Sequence, residues 1–241
     1  MLWHIKDTNL YFMGSIHVLE QTRHALFPEA ERVYQQVDRV TFEHDMVAPP
    51  NPVLIENGPG ASLSTQVSPG IFANATREWM RLGLDVTRLE QLQPWAAATT
   101  IATLDALKRG IDSAFGVDKV LWDRTEQDGK ARSTLETQDD ALAVFSSMQA
   151  DEQESFLDYG TNPPTAFQDD IDVMIRAWHE HDERAFTRIL DHRLGMWPTG
   201  FGNLAAGRNQ AWMPTLLRLV SDQVSTLVVI GALHCVGFRG C

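Results

Sequence analysis

The stretch LYFMGSIH at residues 10–17 is an apolar run that ends at Gly14 and is followed three residues later by His17. Near the other end of the chain, TLVVIGALH at residues 226–234 repeats the arrangement. A run of β-forming residues closed by glycine predicts a buried strand, after which the chain turns sharply or passes close to another backbone. If the two strands lie side by side and parallel, His17 and His234 emerge at the carboxyl edge of the sheet, where open α/β sheets bind ligands.

A single histidine after an apolar strand is more often a hydrogen-bonded structural residue than a ligand. Two strand-Gly-x-x-His units at opposite ends of one chain instead favour a shared functional role for His17 and His234. We predict that Gly14 and Gly231 are structural turn residues, needed where the backbone bends so that each histidine faces inward.

Length, charge and cysteine content narrow the class of protein. The chain has 241 residues, of which 44% are hydrophobic, and a formal net charge of −12. We expect one domain over residues 1–241, without a nucleic-acid partner because no basic patch is present. Cys235 and Cys241 form neither a disulfide framework nor a Cys-x-x-Cys zinc signature. With no bilayer-spanning stretch and no signal peptide, we expect a cytoplasmic protein or one whose targeting segment is absent.

Two further strands are predicted to end in carboxylates. Residues 39–45 form a short apolar strand that ends near Glu43, and residues 130–135 form another that is followed by Glu136. The strand at the N-terminal end, a helix and the strand before Glu43 make a βαβ unit. Its right-handed crossover places Glu43 at the same sheet edge as His17.

The rest of the chain is mostly helical by its periodicity, with a helix between residues 19 and 36 and a last helix that begins near Leu204. Residues 2–13 predict a β-hairpin, and residues 46–70, rich in Pro, Gly, Asn and Ser, predict an irregular surface segment. The predicted fold class is α/β (α+β). It has a small, mostly parallel or mixed central sheet, an N-terminal β-hairpin and a large helical section, about residues 70–195, that caps one side.

The strand-end residues are suitable ligands for a divalent ion. We predict that His17, Glu43 and His234 hold Mn, Co or Zn, because imidazole and carboxylate without thiolate suit these ions. Glu136 would be a general base or a further ligand at a site that polarises a carbonyl and lowers the pKa of bound water. The alternative is that the glutamates cap helices or pair with arginines.

Arg208 and Asn209 lie early in the last predicted helix. An arginine in that position can clamp a substrate carboxylate or stabilise an oxyanion. We therefore assign Arg208 and Asn209 the catalytic role of orienting substrate or stabilising charge. The alternative for Arg208 is a surface salt bridge.

Several enzyme classes lack support because their sequence motifs are absent or incomplete in this chain. His179 and His181 point about 200° apart on a helix and cannot share an ion, and a zincin motif would require histidine where Glu183 stands. The chain has no Gly-x-Ser-x-Gly elbow, no P-loop and no dinucleotide fingerprint. It therefore gives no support to a serine hydrolase, an NTPase or a Rossmann-fold oxidoreductase. The remaining histidines are expected to be structural or surface residues: His4, His24, His44 and His192.

Together these motifs resemble the TraB/GumN (PrgY) family, which includes the Tiki proteins of animals, over essentially the whole chain. Members share a hairpin leading to Gly-x-x-His, a strand ending in Glu-x-Asp, a Gly-x-Asp helix, a Gly-Lys strand ending in Leu-Glu-Thr, an Arg-Asn pair before Trp, and a second Gly-x-x-His. They continue past the second motif with a helix and a closing strand, whereas seven residues follow the last histidine here. The matching residues are Gly14, His17, Glu43, Asp45, Gly116, Asp118, Gly129, Lys130, Leu135, Glu136, Thr137, Arg208, Asn209, Trp212, Gly231 and His234.

The resemblance implies a fold similar to the erythromycin-esterase and ChaN-like group. It also implies a hydrolase-like site, since the animal members are regarded as metal-dependent proteases that clip Wnt ligands. We therefore expect a metal-dependent hydrolase, foremost a peptidase, with a peptide or protein substrate. Two alternatives stay open. One is a non-catalytic module that binds a peptide or small ligand, as in pheromone shutdown, and the other is metal-free, esterase-like hydrolysis with His17 as base.

Overall fold

The structure is a computed structural model that describes residues 1–23 and 26–237; His24 and Cys241 lie outside these residues. The strands are β1 (Leu2–His4), β2 (Leu10–Ser15), β3 (Leu19–Glu20), β4 (Arg39–Phe42), β5 (Ile111–Asp112), β6 (Ala131–Thr134) and β7 (Thr226–Gly231). Five of them form the central sheet in the order β1-β2-β7-β4-β6, while β3 and β5 form a separate antiparallel pair. The predicted mixed α/β architecture is thereby confirmed.

Parallel pairing in the centre of the sheet brings the two ends of the chain together. β2 and β7 run parallel, with Ser15 opposite Gly231 at their carboxyl ends. β4 runs parallel to both β7 and β6. β1 and β2 pair antiparallel and form the predicted hairpin. Four strands therefore end at one edge of the sheet. The candidate residues that follow these strands are His17, Glu43, Glu136 and His234.

Both faces of the sheet are buried at its centre, which explains why β2 and β7 are apolar almost throughout. On one face, Met13 and Val229 pack into a core that helices complete. On the other face, Phe12 and Val228 pack against Trp212 of the last helix. Because successive side chains of a strand point to opposite faces of the sheet, neighbouring residues of β2 and β7 belong to different cores.

Helices make up most of the remaining chain, and none in the described residues is long and apolar enough to cross a membrane. Those between residues 69 and 196 confirm the predicted helical section. The helices are α1 (Pro28–Gln36), α2 (Pro52–Ile55), α3 (Leu63–Gln66), α4 (Pro69–Arg81), α5 (Val86–Glu90), α6 (Pro94–Lys108), α7 (Val117–Gln127), α8 (Gln138–Ser146), α9 (Ala150–Thr161), α10 (Ala166–His179), α11 (Glu183–Met196), α12 (Pro198–Gly202) and α13 (Arg208–Ser221).

The helical section has a hydrophobic core of its own. Trp79 of α4, Trp95 of α6 and Phe156 of α9 are buried in it together with Trp197, which precedes α12. This core is separate from the two that cover the sheet. The helices are thus stabilised by packing on one another as well as on the sheet.

The prediction of an irregular segment at residues 46–70 is wrong in part, because α2 and α3 lie within it. Asn51 caps α2 by accepting a hydrogen bond from the backbone N–H of Val53. Ser62 and Thr65 form a capping box at the start of α3. Capping residues, rather than apolar periodicity, determine these two four-residue helices.

Candidate functional site

The loop that carries His17 is fixed by the start of α7. The backbone N–H of Val117 donates to the carbonyl of Ile16 at 2.9 Å. A Cβ on Gly116 would lie 2.3 Å from the carbonyl oxygen of His17. Only glycine allows this close approach, and the approach brings Asp118 to His17.

His17 and Asp118 form a carboxylate–imidazole pair, with Nδ1 of His17 2.5 Å from Oδ2 of Asp118. The Asp118 carboxylate is buried, and its charge raises the pKa of His17 to about 9 against the opposing effect of desolvation. The His17 side chain nevertheless keeps 56% of its surface accessible, because it lines a cavity and is not packed into a core. At neutral pH the ring is an imidazolium whose Nδ1 is held by Asp118, which leaves Nε2 for other partners.

Glu43 is held by the backbone of β7 and by a guanidinium. Its Oε1 accepts from the N–H of Gly231 at 2.6 Å, and its Oε2 accepts from Nη2 of Arg208 at 2.5 Å. Burial would raise the pKa of the Glu43 carboxyl, but the charges of Arg208 and of the His17 imidazolium, with the N–H of Gly231, hold it below its ordinary value. Glu43 is therefore a buried, ionised carboxylate with both oxygens bonded.

Arg208, at the first residue of α13, joins the strand ends. Besides Glu43, its guanidinium donates from Nε to Glu136 at 2.9 Å, and its Nη1 lies 3.1 Å from Nε2 of His234. The ring of Trp212 lies 4.8 Å below the guanidinium carbon, and its Nε1 donates to the other Glu136 oxygen at 2.9 Å. The arginine does form salt bridges, but its side chain is only 11% exposed. These are buried ion pairs and not surface ones.

His234 is oriented by the residue after Arg208. Nδ1 of His234 lies 2.7 Å from Oδ1 of Asn209, whose Nδ2 donates to the His234 carbonyl at 3.0 Å. Burial lowers the pKa of His234 to about 3, so the ring is neutral. A neutral ring that donates from Nδ1 accepts at Nε2, and Nη1 of Arg208 is the donor it meets there.

The two motif glycines lie at close packing contacts. φ is −54° at Gly231, and neither Gly14 nor Gly231 has a positive φ, so the backbone conformation alone does not require glycine at either position, and their turn role stays a prediction. A Cβ on Gly231 would lie 3.1 Å from Nε2 of His17 and 3.2 Å from Oε1 of Glu43. A Cβ on Gly14 would lie 3.3 Å from Cα of Ala232. Since Gly231 lines the same cavity as His17 and Glu43, a side chain there would enter the space beside Nε2 and Oε1.

This space opens into a cavity of about 450 Å³ between the sheet edge and the helical section. Its polar end is formed by His17, Glu43, Arg208 and His234. Its walls are mainly apolar and include Phe145, Phe156, Phe167, Phe186, Phe201 and Leu204. Such a cavity fits a ligand with an apolar body and a polar group at the strand ends.

Two of the predicted catalytic residues lie outside this cavity. Glu136 lines a separate, open depression of about 580 Å³ that Arg208 and Trp212 also line, so Arg208 lies between the two spaces. Asn209 is buried against His234. The structure thus brings all the predicted residues together, but it places Glu136 and Asn209 as supports of Arg208 and His234.

The residues as placed do not fit a divalent ion. Among the described residues, no three His, Cys, Asp or Glu side chains are arranged so that they could hold one. Nε2 of His234 already accepts from Arg208, and both oxygens of Glu43 are bonded. The guanidinium therefore stands among the predicted ligands and would repel a second cation.

Sequence reasoning missed the roles of three residues. Asp118, Trp212 and Gly116 stood only as family-motif positions, without an assigned function. Nothing in the local pattern links Asp118 to His17, because they are 101 positions apart. The signal available was the Gly-x-Asp motif itself, in which a glycine that permits close approach comes two residues before a carboxylate at the start of a helix.

Comparison with known proteins identifies one family. A family model described as the TraB/PrgY/gumN family matches residues 1–241. No curated protein and no solved structure matches the chain. The expected likeness to the erythromycin-esterase and ChaN-like group therefore stays a prediction.

Proposed function

The chain belongs to the TraB/PrgY/gumN family, and we propose that it is a hydrolase that cleaves an ester or amide bond at the carboxyl edge of the sheet. In this proposal His17 transfers the proton, Asp118 orients it, and Arg208 stabilises the charge that develops on the carbonyl oxygen. The peptide or protein substrate expected from the sequence belongs to this proposal, with an apolar segment next to the scissile bond.

The observation that supports the proposal most strongly is the pairing of His17 with Asp118 at the polar end of an apolar cavity. A carboxylate that accepts from Nδ1 fixes the tautomer of the ring, so that the neutral ring presents a basic Nε2. That atom faces the space left by Gly231, beside Oε1 of Glu43. A water molecule in this space could give its proton to Nε2 as its oxygen attacks a carbonyl carbon.

The remaining steps use groups already in position. As the carbon–oxygen bond forms, the carbonyl oxygen becomes an oxyanion that the guanidinium of Arg208 can stabilise. The imidazolium of His17 then returns the proton to the departing oxygen or nitrogen as the scissile bond breaks. Glu43 and Glu136 hold Arg208 in place, and since both oxygens of each are bonded, neither serves as the base.

The metal-dependent peptidase expected from the sequence is the second candidate. One observation favours it: Nδ1 of His17 and Nδ1 of His234 are both held by side chains, of Asp118 and Asn209, as is common for histidines that bind metals through Nε2. Against it stands Arg208, which already donates to Nε2 of His234. The third candidate, a module that binds a peptide or small ligand without cleaving it, uses the same cavity.

One assay separates the three candidates. Turnover of p-nitrophenyl decanoate and of a library of apolar fluorogenic peptides is measured with and without excess chelator. We expect turnover to persist with chelator and to fall about 10²–10⁴-fold in His17→Ala, the usual contribution of a general acid–base. The matched control is His192→Ala, which removes an exposed histidine and should leave turnover unchanged.

Three other outcomes contradict the proposal. Turnover that chelator abolishes and Mn, Co or Zn restores would establish the metal-dependent form. Binding without turnover of any substrate would establish the binding module. Turnover that survives His17→Ala would exclude His17 as the proton-transferring residue in either enzyme.

A further inference from the structure

A second guanidinium, that of Arg193 in α11, lines the same cavity as the His17 site. Arg193 is 5% exposed, and its ion-pair partner is Asp170. Asp170 lines a smaller outer cavity of about 220 Å³, together with Arg193, and does not line the inner one. Arg193 thus separates the two cavities and has its carboxylate on the outer side only.

The guanidinium is held in place by aromatic rings. Its carbon lies 5.1 Å from the ring centre of Tyr159, 5.3 Å from that of Trp197, and 5.7 Å from those of Phe167 and Phe201. Within the described residues, its hydrogen bond goes to Asp170. A guanidinium has five N–H donors in a rigid fork, so the bond to a single carboxylate oxygen does not use all of them.

The charges that line the inner cavity are mostly positive. Glu43 is its only carboxylate among the described residues, and that carboxylate is already paired with Arg208. The charge of Arg193 is balanced by Asp170, which does not line the inner cavity, so the inner cavity meets the cationic member of this pair and not its carboxylate. A buried cation at an apolar wall favours a ligand that combines an apolar chain with an anion.

We propose that the cavity binds a carboxylate-terminated apolar chain, with the carboxylate at Arg193 and the chain along Phe145, Phe156 and Leu204 toward the strand ends. This assigns Arg193 as a specificity-determining residue. The binding proposal depends on the proposed function in one respect only, which is that the scissile bond lies at the polar end formed by His17 and Arg208. Binding itself requires no turnover. The chemistry is shared by medium-chain fatty acids and by apolar peptides with a free C-terminus.

Calorimetric titration tests the proposal with matched probes. Decanoate is compared with decan-1-ol, and acetyl-Leu-Leu-Phe with its C-terminal amide, on the parent and on Arg193→Met/Asp170→Asn. The double variant removes both charges of the pair, so that neither is left buried alone. The matched control is Arg188→Met, which removes an arginine of the same helix whose side chain is 69% exposed.

We expect the carboxylate form of one pair to bind the parent and Arg188→Met at least 10-fold more tightly than its neutral form, with the preference lost in the double variant. The pair that shows the preference identifies the source of the carboxylate. Equal binding of both forms by the parent, or a preference that survives in the double variant, would overturn the proposal. If the double variant does not fold, a crystal structure of the parent with the preferred carboxylate decides. A carboxylate at Arg193 supports the proposal, and one at Arg208 or His17 overturns it.

These outcomes are independent of catalysis. The preference for the carboxylate is expected to persist in His17→Ala, which lacks the proposed base. A parent that binds decanoate through Arg193 but turns over no ester would contradict the hydrolase proposal and leave this one standing.

Discussion

Asp118 controls the charge of His17, which makes the pH profile the sharpest residue-scale test. Because the carboxylate raises the pKa of His17 to about 9, the neutral base accumulates only as the pH rises through that value. We expect kcat/KM to increase with pH and to level off above about 9. In Asp118→Asn the increase should move toward the ordinary histidine pKa of about 6.5, with a lower plateau.

The linked effect on stability has the opposite sign. A raised pKa means that the folded protein holds the proton more tightly, so the stability from the pair is complete below pH ~6.5 and is lost as the pH rises through about 9. Urea unfolding of the parent and of Asp118→Asn at several pH values measures this loss. If the free energy of unfolding fell over the same pH range in both proteins, Asp118 would not set the charge of His17.

Glycines near His17 give a second prediction at this scale. A methyl group on Gly231 would lie 3.1 Å from Nε2 of His17, whereas one on Gly116 would lie 2.3 Å from a backbone oxygen. We expect Gly231→Ala to lower activity far more than stability, since it fills the space for the reacting water. Gly116→Ala should lower both, because the loop itself must move.

The control is Gly58→Ala, since nothing lies within 4 Å of a Cβ built there and its φ is not positive. Thermal melting and ester turnover are measured on all three variants. Full activity of Gly231→Ala would show that no reacting group uses the space beside Nε2 of His17.

At the scale of elements, α13 carries the cation that neutralises two buried strand-end carboxylates. Removing one partner of a buried ion pair typically costs about 3–5 kcal/mol, because the other charge stays buried and unpaired. Arg208→Met leaves both Glu43 and Glu136 without their guanidinium. We expect it to lower the free energy of unfolding by about that amount in urea titrations. Arg32→Met, at an arginine whose side chain is 69% exposed, should change it by less than ~0.5 kcal/mol. Equal effects of the two variants would contradict the central role of Arg208.

Elements with strong local signals were predictable, and those that depend on distant partners were not. The apolar runs of β2 and β7 and the glycine that closes each run identified the parallel centre of the sheet. The pair β3–β5 has two residues in each strand and no periodicity to detect. The strand ends and the Arg-Asn pair predicted which side chains belong to the site, but not that the guanidinium of Arg208 would bond to the strand-end residues themselves. That position depends on how α13 packs over Phe12 and Val228, which is a tertiary effect.

For the whole molecule, the cavity arises because two separately packed layers meet without filling the space between them. The sheet edge contributes the charged groups, and the helical section contributes the apolar walls and Arg193. A sequence shows which residues each layer contains, but the gap depends on how the layers are placed. The apolar substrate chain proposed above is therefore an inference from the structure alone.

Unfolding of the whole chain also measures whether the native fold binds a metal, since a ligand at 100 times its Kd stabilises by about 2.7 kcal/mol. Because Arg208 donates to Nε2 of His234 and to Glu43, we expect Mn, Co and Zn ions to leave the melting temperature of the parent unchanged. Arg208→Met removes the hydrogen-bond donor from Nε2 of His234 and from the Glu43 carboxylate, so that both could bind an ion together with His17. This variant, which is less stable alone, should therefore gain stability from the same ions. Stabilisation of the parent that His17→Ala abolishes would show instead that Arg208 moves aside for an ion, and the metal-dependent form of the hydrolase would replace the metal-free one.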